Sequence, residues 1–231
     1  MTAEDRYNID TYVRDINHAN RDAFFNGPVR VGQPAPDFQL PEVDGGEVSL
    51  KSLTARGHTV LIFGCFTAPP CLSQLPALEA LHRAYSGRGF AFAFVYTREI
   101  HPGENFPPHR TIEQKLEQAR RMRDYARITF PVAADDLQGT VHHAYGALPS
   151  MACVVHRSGD LVYRGSWTIS EMIHRVLENL LLRDRDETAG QRSRFAYHEW
   201  LAHMPHEGAK VWNTIDLAGP KARADLDRAN P

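Results

Sequence analysis

The sequence predicts an α/β fold in which helices cover both faces of a mixed central sheet. Three observations lead to this prediction. Two continuous apolar runs, TVLIFG (59–64) and GFAFAFVYT (89–97), are typical of strands that are buried on both faces. An amphipathic helical pattern follows each of these runs. Two further strand-like runs then meet at a tight turn near residues 158–160, and a last helical pattern follows them.

The segments before the core are predicted from their spacing and their turn residues. Up to about Phe25, apolar residues recur at helical spacing, and Gly27-Pro28 ends the pattern; these residues are Ile9, Tyr12, Val13, Ile16 and Ala19. VGQPAPDFQL (31–40) and GEVSL (46–50) are separated by the turn VDGG. They predict two short strands or an extended arm with a hairpin.

The core elements follow in a βαβα order. SQLPALEALHRAY (73–85) is amphipathic, with Leu75, Leu78, Leu81 and Tyr85 on one side. In the helix predicted for 111–128, Thr111 caps the start, Gln114 completes a capping box, and Ile112, Leu116, Ala119 and Met122 are expected on the buried face. FPVAADD (130–136), a short helix, the hairpin MACVVHRSGDLVYRG (151–165) and the helix ISEMIHRVLENLLLRDR (169–185) complete the domain. This is the plan of a thioredoxin-type fold.

Composition and charge exclude several classes of function. A formal net charge of -2 over 231 residues gives no reason to expect a nucleic-acid or anionic-membrane partner. The charged N-terminus has no apolar run, so neither a signal peptide nor a membrane anchor is expected and a cytoplasmic location is predicted. Three cysteines, Cys65, Cys71 and Cys153, are too few and odd in number for a disulfide framework. We expect Cys153, inside MACVV, to act as a small buried hydrophobe.

The stretch LIFGCFTAPPC (61–71) has the features of a redox site. An apolar strand leads into a turn, Pro69 and Pro70 begin a helix, and Cys71 lies in the first helical turn. A helix N-terminus stabilises a thiolate, and a catalytic Cys71 requires a pKa below the ordinary value of about 8.5. A Cys-x-x-Cys motif would place the attacking thiol at position 68, which is Ala68.

Two levels of family resemblance rest on these residues. VGQPAPDFQLPEVDGGEVSLKSL (31–53) resembles the opening of redoxins, and Pro76 falls where thioredoxins kink the helix after their motif. GALPSMACVV resembles the segment whose proline, here Pro149, is cis in that fold and faces the motif. More narrowly, FGCFTAPPC, VYTREIHPGENF and AYGALP resemble the iodothyronine deiodinase family and its bacterial redoxin-like relatives over residues 30–180. The resemblance implies that Glu99 and His101 lie beside the reactive residue, whose position is Ala68.

Three interpretations of the altered motif stay open. In the first, Cys71 has become the nucleophile and Cys65 is its candidate partner in a disulfide. In the second, Ala68 is an engineered replacement of a natural cysteine. In the third, the protein is a catalytically silent binding or regulatory module. The resemblance implies reductive dehalogenation of a small aromatic, and the general redoxin features imply a peroxidase or a disulfide reductase. Both imply a thiol reductant, thioredoxin or a low-molecular-weight thiol, and neither implies a cofactor.

The remaining candidates are weaker and are predicted to contact substrate; they are Thr67, Pro149, His142 and Arg164. Arg164 would either stabilise a thiolate or lie exposed on an edge strand. His198 and His203 are five residues apart, about 140° around a helix, so no metal site is expected there. We expect an N-terminal helical extension at 1–29, a thioredoxin-like domain at 30–185 and a C-terminal extension at 186–231. The aromatic residues of the last are compatible with a homodimer.

Overall fold

The computed structural model describes residues 7–12, 29–190, 198–200 and 208–229 of the chain. The first two strands and a short helix precede the main sheet. In chain order the elements are β1 (Gln39–Pro41), β2 (Glu47–Ser49), α1 (Leu50–Thr54), β3 (His58–Gly64), α2 (Pro69–Tyr85), β4 (Phe90–Tyr96), α3 (Ile112–Ala126), β5 (Val132–Ala134), α4 (Thr140–Tyr145), β6 (Met151–Val155), β7 (Leu161–Gly165), α5 (Ser170–Thr188), β8 (His198–Trp200), α6 (Gly208–Ala218) and α7 (Pro220–Ala229).

The main sheet has six strands in the order β5-β4-β3-β6-β7-β8. β3, β4 and β5 are parallel, while β6 runs antiparallel to both β3 and β7. Every residue of β3 and β4 is buried, as their continuous apolar runs predicted. β8, which pairs in parallel with β7, was not predicted, because residues 198–203 were considered only as a helix. β7 is therefore an internal strand.

Two apolar clusters fill the two faces of the sheet. One face is covered by α2, α3 and α5, whose core residues include Leu75, Met122 and Leu177. The other face is covered by α1, α4 and the β1–β2 hairpin, with Leu53 and Tyr145 in the core. This arrangement confirms the predicted mixed sheet with helices on both faces.

The start of α3 agrees with the sequence prediction, but part of its buried face does not. The Thr111 hydroxyl accepts a hydrogen bond from the Gln114 amide, and the Gln114 side chain accepts one from the Thr111 amide, which completes the capping box. Ala119 and Met122 are buried as expected, whereas Ile112 and Leu116 are only partly buried. Two further positions on the buried face are polar, Lys115 and Gln118.

The two extensions contact the domain between them. Residues 8–12, expected to be helical, form bends and extended chain, and the rest of that predicted helix, 13–28, lies outside the described residues. α6 and α7 form a small apolar cluster with which Tyr12 packs, and α6 packs on α2.

α5 continues to Thr188, past the end predicted at residue 185. Among the described helices, none has the length and apolarity needed to cross a membrane. A homodimer stays a prediction.

Candidate active site

The candidate site lies where β3 and β4 end, at the carboxyl edge of the parallel part of the sheet. The turn 65–68 leaves β3 and leads into α2, and the loop 97–111 leaves β4 and leads into α3. The Thr97 amide donates to the Gly64 carbonyl oxygen at 2.8 Å, which holds the two strand ends together. Ligands of open α/β sheets bind at this edge, and the predicted residues Cys65, Thr67 and Glu99 meet here.

Glu99 is the centre of a buried hydrogen-bond network. Its Oε2 accepts from both the Thr67 amide, at 3.1 Å, and the Thr67 hydroxyl, at 2.7 Å. Its Oε1 accepts from the Tyr96 hydroxyl, and His109 Nε2 lies 3.6 Å from the same oxygen. We call Thr67, Tyr96, Glu99 and His109 the Glu99 network. It ties the β3–α2 turn to the β4–α3 loop.

These donors keep the Glu99 carboxyl ionised inside the protein. Burial by itself would raise its pKa, but the contacts with His109, Tyr96 and Thr67 outweigh burial and hold the pKa below the ordinary value. His109 is oriented for this contact, since Gln118 Oε1 also lies 3.1 Å from His109 Nε2. Gln118 in turn donates from its amide nitrogen to the Pro107 carbonyl oxygen. His109 Nε2 therefore faces two acceptors and carries the proton.

Cys65 is the cysteine that contacts the Glu99 network. Its Sγ lies 3.6 Å from Thr67 Oγ1. That hydroxyl donates to Glu99 and accepts from the Ile100 and His101 amides, so its hydrogen and both of its lone pairs are already used. Burial, and next to it the negative charge of Glu99, raise the pKa of Cys65 well above its ordinary value. The thiol is protonated in this closed conformation.

Cys71 lies in the first turn of α2, as predicted, but its sulfur is directed into the core. A Cβ built on Gly64 would come within 2.3 Å of Cys71 Sγ, and the Phe94 ring lies beside the same point. Burial raises the pKa of the Cys71 thiol to about 12, and the Ser150 hydroxyl offsets this only in part. The lowered pKa that a catalytic Cys71 requires is not found here, because desolvation outweighs the helix N-terminus. A catalytic role of Cys71 stays a prediction.

Ala68 occupies the N-cap position of α2 and offers no side-chain hydrogen bond there. Its methyl group is buried in the same cluster as Cys65, Phe66 and Cys71. All three cysteines of the chain are free and buried. The position at which the deiodinase resemblance implies the nucleophile thus carries a buried methyl group, in one cluster with two buried thiols.

The loop that contains Pro149 differs from the expectation. Its peptide bond is trans, as is every peptide bond in the described part of the chain. The reason lies in how the preceding residue is held: the Leu148 carbonyl oxygen accepts from His142 Nε2 at 2.7 Å, and Ala147 takes a left-handed conformation with φ 56°. A trans bond is also the intrinsically preferred isomer before proline. His142 is therefore buried and holds this loop through its hydrogen bond to Leu148. Contact of Pro149 and His142 with substrate stays a prediction.

Arg164 is neither a neighbour of the thiols nor an exposed edge residue. It is fully buried, and its Nη1 donates to the Val29 carbonyl oxygen at 2.7 Å. In the β6–β7 register it lies opposite Cys153, which belongs to the cluster on the face away from α2. The prediction of a thiolate-stabilising Arg164 is wrong because the strand alternation turns its side chain to the other side of the sheet.

Residues 7–12, which we call the N-terminal cover, close the site. Tyr7 is buried; its hydroxyl donates to His142 Nδ1 at 2.8 Å, and its carbonyl oxygen accepts from Arg98 at 3.1 Å. The Lys115 ammonium lies 5.5 Å from the centre of the Tyr7 ring. The Tyr12 ring packs on the His101 ring with the ring centres 4.3 Å apart. The N-terminal cover thus packs on side chains of both the β4–α3 loop and α4.

Sequence reasoning missed much of the site. Tyr96 had a weak signal, since it is the last residue of the strand that leads to Glu99, and His109 lies in the loop that follows. Lys115 had a clearer one: it shares a helical face with Ala119 and Met122, at spacings of four and seven residues. Nothing local could indicate Tyr7, whose hydroxyl binds His142, 135 residues away along the chain.

The comparison with known proteins agrees with this geometry. A family model described as the AhpC/TSA family matches residues 31–171, well over half of the chain. The chain belongs to this family. The predicted redoxin resemblance is thereby confirmed.

Individual relatives of this AhpC/TSA chain are distant. It is 27% identical to a type II iodothyronine deiodinase from Fundulus heteroclitus over 128 residues, 49% of this chain and 48% of the relative. It is 30% identical to the thioredoxin-like protein YneN from Bacillus subtilis over 108 residues, 46% of this chain and 55% of the relative. The chain therefore spans about half the length of the curated relatives it matches.

Solved structures confirm the thioredoxin-like fold. The thioredoxin domain of a thiol-disulfide oxidoreductase from Bacteroides vulgatus superposes with a TM-score of 0.54 at 15% identity, covering 66% of this chain and 99% of that domain. An uncharacterized conserved protein from Geobacillus kaustophilus superposes with a TM-score of 0.56 at 22% identity, covering 74% and 89% of the two chains. At these identities the likeness concerns the fold alone.

Gly64→Ala tests the position of the Cys71 sulfur. The added methyl group has to displace Cys71 Sγ, so we expect a loss of about 1–3 kcal/mol in the free energy of unfolding by urea. In a Cys71→Ala background the same substitution costs less, because the sulfur is gone. Gly87→Ala is the matched control, since nothing lies within 4 Å of its added methyl group. An equal cost of Gly64→Ala in both backgrounds would contradict the placement.

Glu99→Gln tests the buried carboxylate. The folded pKa of Glu99 lies below its unfolded value of about 4.3, so its contribution to stability is complete above that pH and is lost as the pH falls through the folded pKa. We expect Glu99→Gln to lower the free energy of unfolding by about 1.5–3 kcal/mol at pH 7. The difference from the unsubstituted protein should shrink below about pH 4. A difference that does not depend on pH would show that Glu99 is not ionised in the folded protein.

Proposed function

We propose that this protein is a thiol-dependent oxidoreductase in which Cys65 is the reactive sulfur. The observation that carries the proposal is the contact of Cys65 Sγ with Thr67 Oγ1, at 3.6 Å, beside the buried Glu99 carboxylate to which Thr67 donates at 2.7 Å. Cys65 therefore adjoins the polar network at the carboxyl edge of the sheet, where ligands of α/β folds bind. No described contact links Cys71 to this network.

Two cations favour a thiolate at Cys65. Arg98 and Lys115 are both buried, and burial lowers the pKa of each, that of Lys115 to about 8. A negative charge on Cys65 acts in the opposite direction on both side chains and so favours their charged forms. Once the N-terminal cover opens, water reaches the thiol and removes the burial penalty that now raises its pKa. The closed form is then the resting form, and opening activates the thiol.

Cys71 is proposed as the second thiol. It is close enough to Cys65 for its charge to raise the pKa of Cys65. The two thiols together supply two electrons and two protons: a disulfide R–S–S–R gives two R–SH, a peroxide ROOH gives ROH and water, and an aryl halide gives the arene and a hydrogen halide. Each reaction leaves a Cys65–Cys71 disulfide. An external thiol, thioredoxin or a low-molecular-weight thiol, reduces this disulfide by exchange and restores the two cysteine thiols.

One observation favours an aromatic substrate among these three classes. The His101 ring is covered by the Tyr12 ring, which shows that this edge of the site accommodates a planar ring. Phe66 and Phe106 stack nearby with their ring centres 4.0 Å apart, so the turn next to Ala68 is also aromatic. When Tyr12 leaves with the N-terminal cover, a small halogenated aromatic can take its place over His101. This agrees with the similarity to deiodinases.

The proposed function predicts which cysteine is needed. With a small iodinated phenol, hydrogen peroxide or a model disulfide as substrate and dithiothreitol as reductant, Cys65→Ser should abolish turnover. In a single turnover without added reductant, Cys71→Ser should form the first product and leave Cys65 trapped as an adduct visible by mass spectrometry, because no second thiol resolves it. Cys153→Ala is the matched control, because Cys153 is equally buried but lies on the other face of the sheet.

Ala68→Cys decides between the interpretations of the altered motif. If the unsubstituted protein turns over and Cys65→Ser does not, the proposal stands whatever Ala68→Cys adds. If activity appears only with the thiol introduced at position 68, the site of this sequence is silent and the proposal fails. Activity that persists in Cys65→Ser and vanishes in Cys71→Ser would show that Cys71, and not Cys65, is the reactive sulfur.

The N-terminal cover predicts how fast Cys65 can react. Tyr7→Ala removes the buried anchor of the cover, so we expect iodoacetamide to alkylate Cys65 at least tenfold faster under native conditions. Alkylation of Cys153 in the same sample reports global unfolding and should change less. Leu182→Ala, at a side chain that is 47% exposed on α5, is the control. If Cys65 and Cys153 accelerate equally, Tyr7 stabilises the whole fold and not a cover.

A further inference from the structure

A second polar cluster lies at the end of the sheet opposite to the Glu99 network. His58 begins β3, His156 follows β6, and Asp184 lies near the end of α5. One donor atom from each of these residues lies within 4.8 Å of the other two. We call these three residues the His58 cluster. Residues this distant in the sequence gave no motif, so the sequence alone did not indicate it.

His156 offers an unused nitrogen to this cluster. Ser158 holds His156 Nδ1 in two ways: its hydroxyl lies 2.7 Å away, and its amide donates to Nδ1 at 3.1 Å. Nδ1 is thereby occupied, and Nε2 is the remaining nitrogen. Nε2 is buried without a hydrogen-bond partner, in a residue that is only 9% exposed.

His58 and Asp184 already hold two donor atoms together. His58 Nε2 lies 3.0 Å from Asp184 Oδ2, and two ligands of one tetrahedral zinc ion lie roughly 3.3 Å apart. Arg157 pairs with the other oxygen, Oδ1, which orients the carboxylate and leaves Oδ2 for the cluster. The Arg157 amide donates to His58 Nδ1 at 3.3 Å, so binding through Nε2 requires the His58 proton to move to Nδ1 and this long contact to break.

We propose that His58, His156 and Asp184 bind a divalent first-row transition metal ion, with Zn²⁺ as the probe. Two imidazoles and one carboxylate are a common ligand set for this class of ion. The widest separation, up to 4.8 Å, has to close by roughly 1–1.5 Å, which a rotation of the His156 ring at the β6–β7 turn can supply. The Asp184 side chain is 23% exposed, so the ion can enter there and keep a water ligand.

The bound ion would join three elements at one end of the domain. It would connect the first residue of β3, the β6–β7 hairpin and α5, which otherwise meet here through the His58–Asp184 and Arg157–Asp184 contacts. An ion that binds the folded chain and not the unfolded chain raises the stability of the fold. Its site is separate from the Glu99 network, so the proposal does not depend on the proposed redox function.

Calorimetric titration of the EDTA-treated full chain with Zn²⁺ tests the proposal. We expect one site per chain and a rise of several degrees in the unfolding temperature with saturating Zn²⁺. His156→Gln, His58→Gln and Asp184→Asn should each weaken binding at least tenfold and remove the rise. With Co²⁺ in place of Zn²⁺, the spectrum should lack the intense near-ultraviolet bands that a cysteine ligand produces.

Two controls make each outcome decisive. His174→Gln changes an exposed histidine on α5, the helix that also carries Asp184, and should bind as the unsubstituted protein does. A variant with His203 and His206 changed to Gln should also bind normally. The proposal is overturned if Zn²⁺ does not bind, or if Asp184→Asn, at a partly exposed position, folds and binds unchanged. If only the variant with His203 and His206 changed loses binding, the ion binds in the C-terminal extension and the proposal fails as well.

Discussion

A carboxylate buried at the end of β4 is the constraint on which the candidate site depends. A charge in the interior is tolerated only when several donors surround it. Glu99 obtains these donors from two segments that are far apart in sequence, the turn after β3 through Thr67 and the loop before α3 through His109. Satisfying one charge therefore fixes the β3–α2 turn against the β4–α3 loop. The same turn carries Cys65, so the carboxylate also sets the electrostatics of the thiol.

The two thiols near Ala68 differ because burial and helix geometry act on them with unequal strength. A helix N-terminus favours a nearby negative charge by about 0.3–1 kcal/mol. Raising the pKa of Cys71 to about 12 corresponds to roughly 4–5 kcal/mol against its thiolate. Desolvation therefore decides the state of Cys71. Cys65 is equally buried, but it lies 3.6 Å from Thr67 Oγ1 in the Glu99 network, and no described contact links Cys71 to that network.

What the sequence could predict follows from local physics. The strands, the hairpin and the Thr111 capping box are encoded in periodicity and in short-range hydrogen bonds, and the structure has them where they were expected. The burial of charged groups is different, because it depends on partners that are distant in sequence. Lys115 can be buried because its ammonium donates to the Asp136 carbonyl oxygen and lies near the Tyr7 ring. Arg164 can be buried because β8 pairs with its strand and the Val29 carbonyl oxygen accepts its hydrogen bond. No local pattern contains that information, so these residues were missed or misplaced.

The contacts of the N-terminal cover indicate where the free energy of opening resides. At its outer end, Asp10 pairs with Arg110, and Lys221 donates to the Asp10 carbonyl oxygen; both contacts are exposed. Exposed pairs of this kind contribute about 0–1 kcal/mol each. Tyr7, in contrast, is buried between His142, Arg98 and Lys115, and burying an aromatic side chain contributes several times as much. Asn8 and Ile9 are buried as well, and Asn8 donates to the Leu137 carbonyl oxygen at 2.7 Å. Opening is therefore governed by withdrawal of this buried segment, and salt should affect it little. The Tyr7 hydroxyl also supports the loop before Pro149 through His142, so withdrawal of that ring releases both sides of the site together.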